Sequence, residues 1–127
     1  MRKQLGRRNE DDKPDTNSHV FVVDDDEAVR DAIGFLLDTV EIPFTAYATA
    51  VDFLEQHDPQ AQGCLVLDIR MPGMSGLELQ DRLAELGSKT PIIFITGHGD
   101  IPMAVEAMKK GALDFIRKPF RDQELLD

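Results

Sequence analysis

The sequence predicts an α/β protein, a doubly wound five-stranded parallel sheet of the (βα)5 kind whose last helix is cut short. Two observations predict it. Short, nearly uniform apolar runs alternate with stretches of helical apolar spacing. Uniformly apolar strands need cover on both faces, and short strand–helix connections supply it with parallel strands.

The first strand is expected at residues 19–23, ending in Asp24-Asp25-Asp26. From there Val29, Ala32, Ile33, Leu36, Leu37 and Val40 recur at helical spacing, with Arg30, Asp31 and Asp38 opposite. Asp26 reads as a helix-start residue whose charge complements the helix dipole. Residues 44–49 read as a second strand. Thr49 with Asp52 has the form of a capping box, followed by Val51, Phe53 and Leu54. Residues 64–67 are a fully apolar third strand ending in Asp68. Ser75 with Glu78 suggests another capping box, opening a helix with Leu79, Leu83 and Leu86. Residues 91–95 form the fourth strand, ending at Thr96. Asp100 is placed to cap the next helix, whose first turn holds Pro102, where a missing N–H costs little. Ala104, Val105, Ala107 and Met108 are its expected buried face, and Lys109-Lys110-Gly111 its stop. The fifth strand is expected at residues 113–117. A fifth helix begins near Arg121 and is cut at Asp127, so the chain is expected to end inside an element.

Composition narrows the function. The 127 residues suit one domain. Residues 1–18 hold little apolar beyond Met1 and Leu5 and read as a disordered tail, leaving 19–127 as the domain. The net charge is −10, and the tail contributes five Lys/Arg against four Asp/Glu. The domain is therefore strongly acidic, which disfavours nucleic acid and favours metal ions or basic partners. No apolar stretch approaches the ~20 residues of a membrane span, and no apolar segment follows the charged start. Cys64 has no partner for an intrachain disulfide and reads as a core residue. A cytoplasmic, reducing compartment is the expectation.

The functional argument lies just past each strand. The first strand is followed by Asp24 and Asp25, the third by Asp68, the fourth by Thr96 and the fifth by Lys118. In a parallel sheet these ends share one edge, where α/β proteins bind ligands. Carboxylates gathered there repel, so without a cation at least one should have a raised pKa. Oxygen ligands suit Mg2+. One carboxylate can attack phosphorus, while Lys118 and the Thr96 hydroxyl stabilise the transferred oxygens. Glycines in residues 73–76 and 97–99 let backbone approach closely at the rim. His98 lacks a Cys or His partner at ligand spacing and reads as a loop residue, and His19 and His57 as structural or solvated.

These stretches resemble the response-regulator receiver domain, the flavodoxin/CheY-like fold. The resemblance covers residues 19–127. It is carried by Val22-Val23-Asp24-Asp25-Asp26, by Leu65-Val66-Leu67-Asp68-Ile69-Arg70-Met71-Pro72-Gly73, by Thr96-Gly97-His98-Gly99-Asp100 and by Phe115-Ile116-Arg117-Lys118-Pro119. Thr96 to Ala104 resembles the FixJ-type branch, whose members usually carry a helix-turn-helix DNA-binding domain. The resemblance implies that Asp68 is the phosphoacceptor. It implies that Asp24, Asp25, Asp68 and the Arg70 carbonyl hold Mg2+, that Lys118 pairs with the phosphoryl group and that Thr96 and Phe115 form the switch. It further implies a cis Lys118-Pro119 bond, a sensor histidine kinase as donor, a DNA-binding output domain and a possible phosphorylation-dependent homodimer. Such a domain is a switch rather than a turnover enzyme, with self-phosphorylation and self-dephosphorylation at most.

The competing reading is a Mg2+-dependent phosphohydrolase of the haloacid-dehalogenase type. It would make Asp24 the nucleophile and Asp26 the acid, and it wants Thr or Val where Ala28 stands. It also needs a further acidic pair beyond Lys118.

Overall fold

The computed structural model describes residues 19–58, 62–97 and 100–118. The expected tail over 1–18, His98, the Lys118-Pro119 bond and the fifth helix lie outside the described residues.

The elements are β1 (Val20–Val23), α1 (Glu27–Thr39), β2 (Phe44–Tyr47), α2 (Ala50–Gln56), β3 (Cys64–Asp68), α3 (Gly76–Glu85), β4 (Ile92–Thr96), α4 (Ile101–Lys109) and β5 (Asp114–Arg117). The strands form one sheet in the order β2-β1-β3-β4-β5, with every pair parallel. The chain leaves β1 toward β2 and returns past it to β3. The topological switch point therefore falls between β1 and β3, at the ends that carry Asp24, Asp25 and Asp68.

Consecutive strand residues are buried because both faces are covered. Val22, Val66 and Ile95 pack with Ile33 and Leu37 of α1 on one face. Val23, Leu65, Leu67 and Phe94 pack with Phe53, Leu79, Leu83, Ala104 and Ala107 of α2, α3 and α4 on the other. Burying one such side chain stabilises the fold by roughly 1.5–3 kcal/mol relative to leaving it exposed.

Local chemistry sets the helix starts. The Asp26 carboxylate accepts from the Ala28 N–H at 2.9 Å and caps α1. Thr49 caps α2 by accepting from the Asp52 N–H at 3.0 Å. Ser75 and Glu78 form a reciprocal capping box at α3.

Several helix faces differ from expectation. Ala32 and Val40 of the expected α1 stripe are exposed, as are Val51 and Leu86. On α4 only Ala104 and Ala107 are buried, while Val105 and Met108 face solvent. Val51, Val105 and Met108 each stand one position past a buried residue, a rotation of about 100° that carries a side chain off a narrow seam. Two alanines let α4 lie close to the sheet, and the bulkier neighbours remain outside. Cys64, expected in the core, is half-buried, and burial pushes its thiol pKa up. His57 stacks on Phe53, with ring centroids 4.6 Å apart.

The sharpest difference is Asp100. It occupies the N-cap position of α4 but makes no capping hydrogen bond. A capping side chain accepts from the second or third helical N–H. Pro102 is the second residue and has no N–H, so half of the reason to cap is gone. The Asp100 carboxylate instead accepts from the Gly97 N–H at 3.2 Å and from the Arg70 Nε.

Candidate functional site

Each side chain of the cluster is delivered by the end of a parallel strand. Asp24 and Asp25 follow β1, Asp68 closes β3, Thr96 closes β4 and Lys118 follows β5. β1 and β3 are hydrogen-bonded neighbours, so their terminal carboxylates are forced together. Carboxylate oxygens of Asp24, Asp25 and Asp68 all lie within 4.8 Å of one another. Thr96 stands one residue beyond Ile95, the strand partner of Asp68.

The site is mostly out of water. Asp24 and Thr96 are fully buried, Asp68 nearly so, and Asp25 is exposed. One Asp24 oxygen accepts from the Asp26 N–H at 2.9 Å. The other makes no hydrogen bond among the described residues, and its electrostatic partner is the Lys118 ammonium at 3.2 Å. The same ammonium stands 3.6 Å from Asp68. Lys118 is fixed at its backbone, which donates to the Thr96 carbonyl at 2.8 Å. The Arg30 guanidinium donates to the Asp24 carbonyl at 2.8 Å, anchoring the first turn of α1 beneath the site.

This crowding shows in proton affinity. Burial and the Asp24 charge push Asp68 up to about 7, with Asp25 adding to the rise and Lys118 and the Arg70 backbone N–H opposing it. Burial disfavours the Lys118 ammonium, but Asp68 and Asp24 outweigh it and its pKa rises. The expectation that gathered carboxylates would raise at least one pKa is met at Asp68. The Thr96 hydroxyl is buried and has no hydrogen-bond partner among the described residues. A buried hydroxyl left this way is short of a ligand.

The donor set fits a hard divalent cation. It consists of oxygens only, at close quarters, with an excess of negative charge and one exposed member that leaves room for water ligands. The rim fits it too. Gly73 adopts a left-handed φ of 77°, and a side chain at Gly76 would collide with the Asp68 carbonyl.

The structure thus brings together Asp24, Asp25, Asp68 and Lys118, with Thr96 on the adjoining strand end. Phe115 lies half-buried on β5, packed against the larger core cluster, and pairs in register with Phe94. Asp26 is held as the cap of α1, so the phosphohydrolase reading loses its acid. Sequence reasoning missed the roles of Arg30 and of the Arg70 side chain. The Arg70 side chain had one signal, Pro102, which weakens the competing role of Asp100 as a cap.

Comparison with known proteins agrees with this geometry. Residues 20–127 match the family model described as the response regulator receiver domain. The chain is 50% identical over 123 residues to the response regulator protein TmoT of Ectopseudomonas mendocina, covering 97% of this chain and 54% of that protein. It is 54% identical over 112 residues to nodulation protein W of Bradyrhizobium diazoefficiens, covering 88% and 49%. Among solved structures, full-length FixJ from B. japonicum superposes with a TM-score of 0.82 at 47% identity, over 88% of this chain and 55% of that one. The chain belongs to the response regulator receiver domain family, the phosphorylation-linked signalling module of two-component systems. It spans about half the length of the curated relatives it matches. The phosphohydrolase alternative gains no support from these matches. Among the described residues, no helix is long and apolar enough to cross a membrane.

Proposed function

We propose that Asp68 is the phosphoacceptor of this receiver, and that residues 19–127 form the domain built around it. The observation that carries the assignment is the Lys118 ammonium beside both Asp24 and Asp68, with three carboxylates gathered at one strand edge. An Asp68 oxygen attacks the phosphorus of a phosphohistidine on a sensor kinase. The P–O bond forms, the P–N bond breaks, and the imidazole leaves with the bonding pair and takes up a proton. Lys118 is placed to offset the charge of the transferred oxygens, and the unpartnered Thr96 hydroxyl to donate to one of them. Asp24, Asp25, Asp68 and the Arg70 carbonyl would hold Mg2+. When bound, the ion keeps the carboxylates ionised and neutralises charge on the transferred group.

The protein then acts as a switch rather than a catalyst of turnover, with slow self-phosphorylation from small donors and self-dephosphorylation. Movement of Thr96 toward the phosphoryl group, with inward rotation of Phe115, would alter the face formed by α4 and β5. A DNA-binding output domain in the full-length protein, a cytoplasmic setting and a homodimer of the phosphorylated form complete the reading. Longer relatives, of which this chain covers about half, support it, among them the transcriptional regulatory protein FixJ, at 48% identity over 110 residues.

The test is incubation with Mg2+ and a small acyl phosphate, followed by intact-mass measurement beside Asp68→Asn. One phosphoryl adduct in the parent and none in the variant is expected. An equal adduct in the variant would overturn the assignment.

A further inference from the structure

We propose that Arg70 and Asp100 form a latch that carries the phosphorylation state of Asp68 to the first turn of α4. This rests on Asp68 being the phosphoacceptor, and it is separate from any movement of Thr96 or Phe115.

Arg70 touches both ends of the connection. Its backbone follows Asp68 by two residues at the end of β3, where its N–H favours the ionised carboxylate, and its side-chain Nε donates to Asp100. Asp100 in turn ties Gly97, just past β4, to the first turn of α4. Its carboxylate accepts from the Gly97 N–H, its backbone N–H donates to the Gly97 carbonyl at 3.3 Å, and its carbonyl accepts from the Ala104 N–H at 3.0 Å. One residue therefore joins the loop after β3 to the loop after β4 and to the start of α4.

The pair is asymmetric, and the asymmetry makes it a latch. The Asp100 side chain is 5% exposed and the Arg70 side chain 67% exposed. A buried carboxylate that loses its cation is left uncompensated, so Asp100 must move when Arg70 withdraws. It has a second berth close by, because Met103 is the third residue of α4, where an N-cap carboxylate accepts, and Asp100 makes no side-chain cap bond there now. Two mutually exclusive partners for one carboxylate make a two-state element.

Phosphorylation acts at its root. Arg70 lies two residues past Asp68, the group that becomes the acyl phosphate. New anionic oxygens there compete for both the backbone and the guanidinium of Arg70. The far end of α4 stays anchored to α3. Gln80 donates to the Ala107 carbonyl at 3.1 Å, and Lys110 pairs with Asp81 at 3.1 Å. Release at Asp100 thus tilts α4 about its C-terminal end.

The test is NMR of the folded chain, with intact mass measured on the same samples. In the unphosphorylated protein the Arg70 Nε–H should be protected from exchange. It should lose at least about tenfold of that protection in Asp100→Asn, the scale of one lost charge-assisted hydrogen bond. Asp100→Asn and Arg70→Gln should each move the Ala104 and Val105 amides toward their positions in the phosphorylated parent, with Ala107 and Leu79 unmoved. Arg70 is largely exposed, so its variant keeps the test available if Asp100→Asn fails to fold. A phosphoryl adduct on the parent with Arg70 protection unchanged overturns the latch and leaves the phosphoacceptor assignment standing. Absence of any adduct overturns the phosphoacceptor reading and the latch's trigger with it.

Discussion

The two ends of the sheet are built to opposite rules. At the carboxyl end, β1, β3 and β4 deliver Asp24, Asp68 and Thr96 into a nearly dry site where like charges crowd and a hydroxyl has no partner among the described residues. At the amino end, the same β1 places Phe21 edge-on to Phe53 and to His57, with centroids 5.9 and 5.8 Å apart, and His19 against Phe21 at 4.8 Å. One end is held by aromatic packing, while the other carries unfavourable electrostatics that a ligand can relieve. The difference teaches where stability and function reside. The apolar end supports the fold so that the polar end can remain frustrated until a cation or phosphoryl group arrives.

Four substitutions or conditions break this contrast in order of size. Phe53→Ala removes a fully buried ring from the amino-end cluster and should cost about 3–5 kcal/mol in urea unfolding. Its effect should be the same with and without Mg2+.

Asp68→Asn should do the reverse in metal-free buffer at pH 8, raising stability by about 1–3 kcal/mol. The Asp68 pKa is raised to about 7 in the fold, from an ordinary value of 3.8. Its contribution is therefore fully present below about pH 4 and is lost as pH rises through about 7. The parent should lose this stability across that window, and the variant should not. Parallel pH profiles for the two proteins would refute the frustration assigned to the site.

Saturating Mg2+ at ten times its Kd should add about 1.4 kcal/mol, if it binds only the folded chain. Asp25→Asn should remove most of that gain, measured as the shift in Tm.

The smallest effect is at His57. Burial lowers its pKa and Asp58 opposes this, so the fold favours the neutral ring. That stability is present above the ordinary histidine pKa of about 6.5 and is lost as pH falls through the lower folded value. His57→Phe should flatten this acid-side loss in a stability profile and leave Mg2+ binding unchanged.

Strand ends were the most legible part of the sequence. The runs ending in Asp24, Asp68 and Thr96 are short and apolar, so their bounds and shared edge follow from pattern and parallel pairing. The cap of α3 was equally plain, because Ser75 and Glu78 stand at the required spacing. Helix faces were less so. Val105 and Met108 are more hydrophobic than Ala104 and Ala107, yet the alanines face the sheet, since close approach of α4 rewards small side chains. Asp100 was misread because local capping rules carry no information about a cation thirty residues away in sequence.

The most direct test is chemical trapping of the phosphorylated site. Borohydride reduces an acyl phosphate, turning the phosphorylated aspartyl group into homoserine. After incubation with Mg2+ and a small acyl phosphate, the account predicts homoserine at position 68 and intact aspartates at 24 and 25. Homoserine at position 24, with Asp68 unchanged, would contradict it.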